Sequence, residues 1–470
     1  MKNSVATNTG VIVLGNILSV FTGLAANILL VRYLGVKNYG IYSFVFAYLS
    51  LFGIITDFGI SNILIREISK DKIKADKFLG NAVVMKVILS FSAILFSCLA
   101  VSFLNYPLDT KTLIYIASLS FLLSGFNIYG LIFQVNLQMK YPVFCGLLGS
   151  LIRIALIAYL VFLRSALPWF IIAEIIVNIP AVFIIFRLSK KFVRPKIEID
   201  LALWKFIFKE SWPLALSSIF VMIYLRIDQV MLFQMKGAES VGYYAPAVRL
   251  TEVFNILPAA FTSSLFPLFS RYFVTSGDSL NKTFALSAKY LMAIIIPVAT
   301  LVTLTADKII VLFYGKALEP SVPALIFLMW SVVFTFAGAL NNKLLISVNK
   351  QWIDFAFTST AAIINIGLNL ILIPKYNFTG AAAATLVAYA CGPVMNCVLK
   401  TIRPFAAKVF YSMLKPAFAS AAMAVFIWPF RESLLYSVII AAVAYITVMF
   451  SIKGFDLKEL KVFNREVDLT

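Results

Sequence analysis

Fourteen stretches of this chain are apolar over about 20 residues, the length needed to cross a bilayer as a helix. They fall at about 9–31, 41–64, 79–103, 112–134, 143–163, 167–188, 211–234, 242–266, 284–306, 322–346, 353–373, 379–400, 409–428 and 433–452. No hydrophilic interval between them is large enough to fold by itself. A chain of this kind has almost no choice of architecture, because lipid offers no partner to backbone N–H and C=O groups and only helices or closed barrels satisfy them internally. Segments of this length and uniform apolarity predict an all-α polytopic membrane protein with about 14 transmembrane helices. Composition agrees: 61% of residues are hydrophobic and 13% charged, which a water-facing surface does not tolerate. Residues 1–8 are polar, and no small-residue cleavage site follows, so the first span reads as an uncleaved anchor.

The formal charge of +19 is distributed unevenly between the two sides of the membrane. One set of gaps carries Arg66, Lys70, Lys72, Lys74 and Lys77, then Arg187, Lys190, Lys191, Arg194 and Lys196, and later Lys400, Arg403, Lys408 and Lys415. The alternate gaps hold only one or two cations each, such as Lys111, Arg164, Lys236, Lys375 and Arg431. The positive-inside rule then places both termini in the cytoplasm, which requires an even number of spans. Basic residues scattered in this way do not form a nucleic-acid module. Histidine is absent, so proton coupling would fall to carboxylates. Cys98, Cys145, Cys391 and Cys397 lie in apolar runs without metal-ligand or redox spacing, and read as packing residues. No metal site and no resident cofactor are expected.

The longest polar interval, KKFVRPKIEIDLALWKFIFKE, reads as an interfacial linker. Asp200 would cap a short helix with Leu201, Trp204 and Phe208 toward the membrane and Lys205 and Lys209 toward water. Across this linker a repeat shows: LGVKNYGIYSF at Leu34–Phe44 aligns with KGAESVGYYAP at Lys236–Pro246, matching Gly35 to Gly237, Gly40 to Gly242 and Tyr42 to Tyr244. Each copy follows the first helix of its half. The division expected is an N-lobe over 1–188, a linker over 189–210, a C-lobe over 211–402 and two further helices with a tail over 403–470. Six helices per repeat make the lobes parallel copies related by a pseudo-twofold axis along the membrane normal.

Among the charged residues inside the spans, eight stand out: Lys86, Arg153, Arg226 and Arg249 among the cations, Asp57, Glu174, Asp228 and Glu252 among the carboxylates. Such residues are costly in lipid and mark pathways or pairs. Arg249 and Glu252 are three apart and can pair along one helix face. Arg226 and Asp228 are two apart and point to nearly opposite sides, while Arg153 has no carboxylate within helical reach. Lys86 lies only a few residues inside its span and could snorkel to the interface; Asp57 could do the same, or pair with Arg66 or Lys86. Counted by the repeat offset, the first-half counterparts of the four charges at 226–252 are Leu24, Ala26, Ala47 and Ser50, so the cationic surface is asymmetric. Tyr42, Tyr243 and Tyr244, with Trp330, Trp352 and Trp428, sit mostly near span ends and read as interfacial belt anchors. Prolines 180, 213, 246, 258, 267 and 297 lie in or at the ends of helices, where each permits a bend.

The stretches RYLGVKNYGIYSF at 32–44, TDFGISNILIREISK at 56–70 and LFPLFSRYFVTSGDSL at 265–280 carry a family resemblance, joined by the long segments at 312–351 and 372–390. In their order and spacing they resemble the Wzx-type polysaccharide repeat-unit (O-antigen) flippases of the multidrug/oligosaccharidyl-lipid/polysaccharide (MOP) superfamily. The resemblance implies two six-helix lobes in a V around a cationic cavity, with helices thirteen and fourteen peripheral. It also implies transport, not catalysis: movement of undecaprenyl-pyrophosphate-linked oligosaccharide from the cytoplasmic to the periplasmic leaflet by alternating access. A polymerase and a chain-length regulator of the same lipopolysaccharide or other polysaccharide pathway would be partners. For such a cargo Arg153, Arg226, Arg249 and Lys86 are the pyrophosphate-binding candidates, since guanidinium forks suit phosphate oxygens. Asp57, Glu174, Asp228 and Glu252 are candidates for charge partners or for coupling to H+ or Na+. Alternatives within the superfamily are a lipid II flippase and a multidrug or cation antiporter; outside it, a membrane glycosyltransferase or polymerase on the same carrier. No glycine-lysine phosphate loop supports ATP-driven transport.

Overall fold

The computed structural model describes residues 5–195, 198–397 and 403–455. Among these every regular element is helical: α1 (Val5–Asp57), α2 (Ile60–Lys70), α3 (Ala75–Phe103), α4 (Leu108–Ser118), α5 (Ser120–Phe126), α6 (Leu131–Val135), α7 (Lys140–Phe162), α8 (Leu167–Ser189), α9 (Leu201–Lys236), α10 (Ala238–Glu252), α11 (Ile256–Thr275), α12 (Gly277–Tyr314), α13 (Val322–Ser347), α14 (Gln351–Asn396), α15 (Arg403–Ile427) and α16 (Leu434–Ser451). Twelve continuous helical segments among the described residues are long and apolar enough to cross a membrane. The protein is an all-α, multi-pass membrane protein. Two of those segments are double-length: α1 bends at Gly35 (φ 69°, ψ 177°) and α14 at Asn377 (φ 56°, ψ −137°). No such break is found at prolines 180, 213, 246, 258, 267 or 297; non-helical dihedrals inside a described helix occur only at Gly35 and at Asn377, the latter three residues after Pro374.

Gly35 and Gly237 sit in nearly the same backbone geometry, Gly237 having φ 82° and ψ −173°. This region of φ/ψ space is essentially confined to glycine and costs other residues about 1–3 kcal/mol. The sequence repeat therefore has a conformational basis, since both halves turn their first helix into the second at a glycine of one unusual conformation. A Cβ built at either position meets nothing within 4 Å, so the cost of a side chain is backbone strain alone. Gly237→Ala is expected to lower stability by ~1–3 kcal/mol, whereas Gly146→Ala, in open space within α7, should be neutral or slightly stabilising. Thermal unfolding in detergent separates the two.

The chain forms two compact units, Met1–Gln234 and Met235–Thr470. In the first, α2 buries Ile60, Ile63, Leu64 and Ile68, and Ile60, Leu64 and Ile68 pack with Phe78, Leu79 and Ala82 of α3 and Ile132 and Phe133 of α6. The expected second span thus ends at Asp57, and α2 is a separate amphipathic helix beyond a turn at Phe58 and Gly59.

The polar interval before α9 closes onto this same cluster. Asp200 does cap the helix, its Oδ1 accepting from the Leu203 amide at 3.1 Å, but the helix is not short: it runs on without interruption into the seventh span. Trp204 and Phe208 do not face the membrane as expected; they pack against the cluster under α2 and α3. Buried Asn81 explains the difference. Its Oδ1 accepts from the Asp200 amide at 2.8 Å and from Trp204 Nε1 at 3.0 Å, giving the indole the partner it needs to leave the interface. Lys77 Nζ lies 2.6 Å from Asp200 Oδ2 and holds that carboxyl below the usual carboxylate range.

In the second unit α12 packs on both α13 and α15. Ala293 of α12 meets Ala419, Met423 and Ile427 of α15 and Ala441, Tyr445 and Met449 of α16, and Tyr445 donates to the Ala293 carbonyl at 2.8 Å. The outward face of α16, with Leu435, Tyr436, Val443 and Phe450 exposed, suits lipid contact.

Candidate functional site

Six of the eight charged residues singled out within the spans meet in three ion pairs. Arg153, near the middle of α7, donates from Nε to Glu174 Oε1 on α8 at 2.8 Å. The same oxygen accepts from the Tyr42 hydroxyl of α1 at 2.7 Å, so one carboxylate ties three helices together. Nε of the guanidinium makes this bond, Tyr42 interacts with the guanidinium as well, and the Arg153 side chain keeps 31% of its surface exposed against 17% for Glu174. An arginine of this kind is anchored but still reachable.

Lys86 of α3 sits 2.7 Å from Asp57 Oδ1 at the end of α1, and its ammonium also lies 3.4 Å from Ser61 Oγ of α2. Ser61 in turn bonds Asp57. The lysine side chain is 5% exposed, so it does not snorkel to the interface as one reading of its position suggested. Of the partners open to Asp57, the fold selects Lys86; Arg66 instead pairs with Glu67 and Glu210.

Arg249 Nη1 donates to Glu252 Oε2 at 2.8 Å along one face of α10, as their three-residue spacing implies. With 44% and 32% of their side chains exposed, these two are the most accessible of the three pairs. On α9, Asp228 is buried at 4% exposure and Arg226 half-buried, the opposite dispositions expected for residues two apart; both take part in interactions within the fold.

Three polar residues of the interior were not legible as such in the sequence. Tyr42, expected among the belt anchors, is 5% exposed and hydrogen-bonded to Glu174; Tyr244, its counterpart in the repeat, is 2% exposed with its hydroxyl 3.3 Å from Thr385 Oγ1 of α14. The repeat itself was the signal, because a tyrosine kept at the same place in both copies faces the same interior environment. Asp354, in the first turn of α14, accepts from Asn342 Nδ2 of α13 at 2.7 Å and was not counted among the embedded charges. Among the described residues no group of three or more His, Cys, Asp or Glu side chains could hold a metal ion.

Residues 5–273, more than half of the chain, match the family described as polysaccharide biosynthesis protein. The chain belongs to that family. Two curated relatives from Haloferax volcanii are similar along most of their length: the "probable flippase AglR", 26% identical over 81% of this chain and 80% of that one, and a "probable low-salt glycan biosynthesis flippase", 21% identical over 78% and 77%. Among solved structures, this member of the polysaccharide biosynthesis family is similar to the lipid II flippase MurJ in an inward closed conformation, with a TM-score of 0.76 at 17% identity over 93% of this chain and 97% of that one. An inward-facing multidrug resistance MATE transporter of the MOP superfamily gives 0.62 at 14% identity over 86% and 95%. The chain thus shares the all-helical fold of these two structures.

Proposed function

We propose that this chain flips a polyprenyl-pyrophosphate-linked oligosaccharide repeat unit, undecaprenyl-linked in bacteria, from the cytoplasmic to the periplasmic leaflet of the inner membrane, with both termini cytoplasmic. The observation that carries the reading is Arg153, a guanidinium near the middle of a spanning helix, bonded through Nε to Glu174 beside Tyr42 and still 31% exposed. Phosphate oxygens are the ligands that such a fork binds best. Arg226 and Arg249 are the further contacts for the diphosphate. Lys86 can join them only in a conformation in which its pair with Asp57 opens. The two Haloferax relatives named as flippases support the class of cargo.

The tail cannot enter a charged site cheaply and the sugars cannot enter lipid, so the tail stays in the bilayer while the head group crosses by alternating access. Each limb of α1 and α14 then counts as a span: 53 and 46 residues at ~1.5 Å each exceed twice the ~30 Å hydrocarbon core, which brings the total to fourteen. Glu174, Asp57, Asp228 and Glu252 are the candidate sites for H+ or Na+ coupling. A polymerase and a chain-length regulator would act on the delivered units, in an O-antigen or related polysaccharide pathway.

The test is deletion of the gene in its host, followed by analysis of lipid-linked oligosaccharide in each leaflet. Accumulation on the cytoplasmic side, with lipid II distributed normally, is the expected result. Trapped lipid II would favour the lipid II reading instead, and translocated but unpolymerised units would sink the flippase assignment.

A further inference from the structure

A cavity of about 340 Å³ opens in the second unit between α12, α15 and α16, and three of its lining residues are lysines: Lys289, Lys408 and Lys415. Tyr411 and Ser412 add hydroxyls, while Leu286, Pro416 and Met449 form an apolar floor. Its depth in the membrane can be read from α16. That helix has 18 residues, ~27 Å of rise against a core of ~30 Å, so its ends lie at the two water interfaces. Lys415 Nζ donates to the carbonyl of Lys453, just past the end of α16, at 2.9 Å, which places this ammonium at the interface. Lys408 lies two turns nearer the start of α15, toward water.

The hydrogen bonds of both lysines go to neutral oxygens. Lys408 Nζ donates to Asn281 Oδ1 at 2.5 Å and more weakly to the Asn281 carbonyl at 3.3 Å, and Lys415 Nζ donates to the Lys453 carbonyl. Among the described residues neither has a carboxylate within 4 Å, although the field of Asp278 reaches Lys408. Among the described residues their charge is thus oriented but not neutralised. Around the cavity α15 turns large apolar side chains outward, Tyr411, Leu414 and Phe418 being 73%, 62% and 64% exposed. A ligand arriving here comes from the bilayer and carries a negative head above an apolar body.

We propose that this cavity binds the phosphodiester head group of an anionic membrane phospholipid, at the leaflet where α15 begins and α16 ends. Clustered lysines at an interfacial pocket between transmembrane helices have the chemistry such head groups require, and the apolar floor receives the start of the acyl chains. The site is distinct from Arg153, which lies in the other unit, and it does not depend on which cargo the protein carries. Its occupant would fasten α15 and α16 to α12.

The test uses the full-length protein, delipidated in a zwitterionic detergent, with lipid retention read by native mass spectrometry. Phosphatidylglycerol should be retained in preference to phosphatidylcholine. The Lys289→Gln/Lys415→Gln variant should lose about tenfold or more in phosphatidylglycerol affinity, as two interfacial charges are removed, and Lys289→Arg/Lys415→Arg should keep it. Equal retention of the two lipids overturns the proposal, as does unchanged affinity in the glutamine variant. If millimolar inorganic phosphate strips the phosphatidylglycerol, the pocket reads soluble phosphate and the lipid assignment fails. Should the glutamine variant not fold, the comparison of lipids and the phosphate competition on the unaltered protein still decide.

Discussion

Replacing Arg153 by alanine is expected to abolish translocation and also to destabilise the protein, and a second variant separates the two effects. Without Arg153, Glu174 is left at 17% exposure with only the Tyr42 hydroxyl as partner. Stranding one member of a buried pair costs ~3–5 kcal/mol; the partial exposure of both side chains favours the lower end. Arg153→Met combined with Glu174→Gln removes both charges while keeping an acceptor for Tyr42. Because a matched neutral pair is often as stable as the ion pair it replaces, the melting temperature in detergent should recover. Translocation should not recover, since the methionine cannot hold a phosphate. Arg153→Lys, which keeps the charge but not the fork, should fall between. If the neutral pair transports normally, Arg153 is a clip between α7, α8 and α1 and not a head-group contact.

At the Lys86–Asp57 pair the two single variants should differ sharply, with the larger loss on the side that looks less buried. Lys86 is 5% exposed and Asp57 38%. Asp57→Ala strands the ammonium beside Ser61 in a site that water barely reaches, and ~3 kcal/mol or more should be lost. Lys86→Met leaves a carboxylate that solvent can hydrate and that still bonds Ser61, and ~1 kcal/mol is expected. The double variant should resemble Lys86→Met, so that adding that substitution rescues Asp57→Ala. Unfolding measured for the four proteins gives the coupling directly. Equal single losses would show that Lys86 is hydrated in the membrane, contrary to its burial.

What could be read from the chain alone was whatever depends on near neighbours in sequence. Apolar length in lipid forces helices, and the membrane-protein class followed from it. The Arg249–Glu252 pair was legible because three residues along a helix bring two side chains to one face. The match of Gly35 with Gly237 was legible because the required φ/ψ values exclude other residues locally. Tertiary structure decided the rest. Arg153 finds Glu174 twenty-one residues away on a second helix and both meet Tyr42 on a third, a juxtaposition no helical periodicity encodes. Trp204 faces inward and not toward lipid because Asn81, more than a hundred residues earlier, supplies its acceptor. In a membrane interior, where uniform apolarity makes most helix faces chemically alike, the scarce polar groups choose their neighbours by packing, and packing is a property of the folded chain.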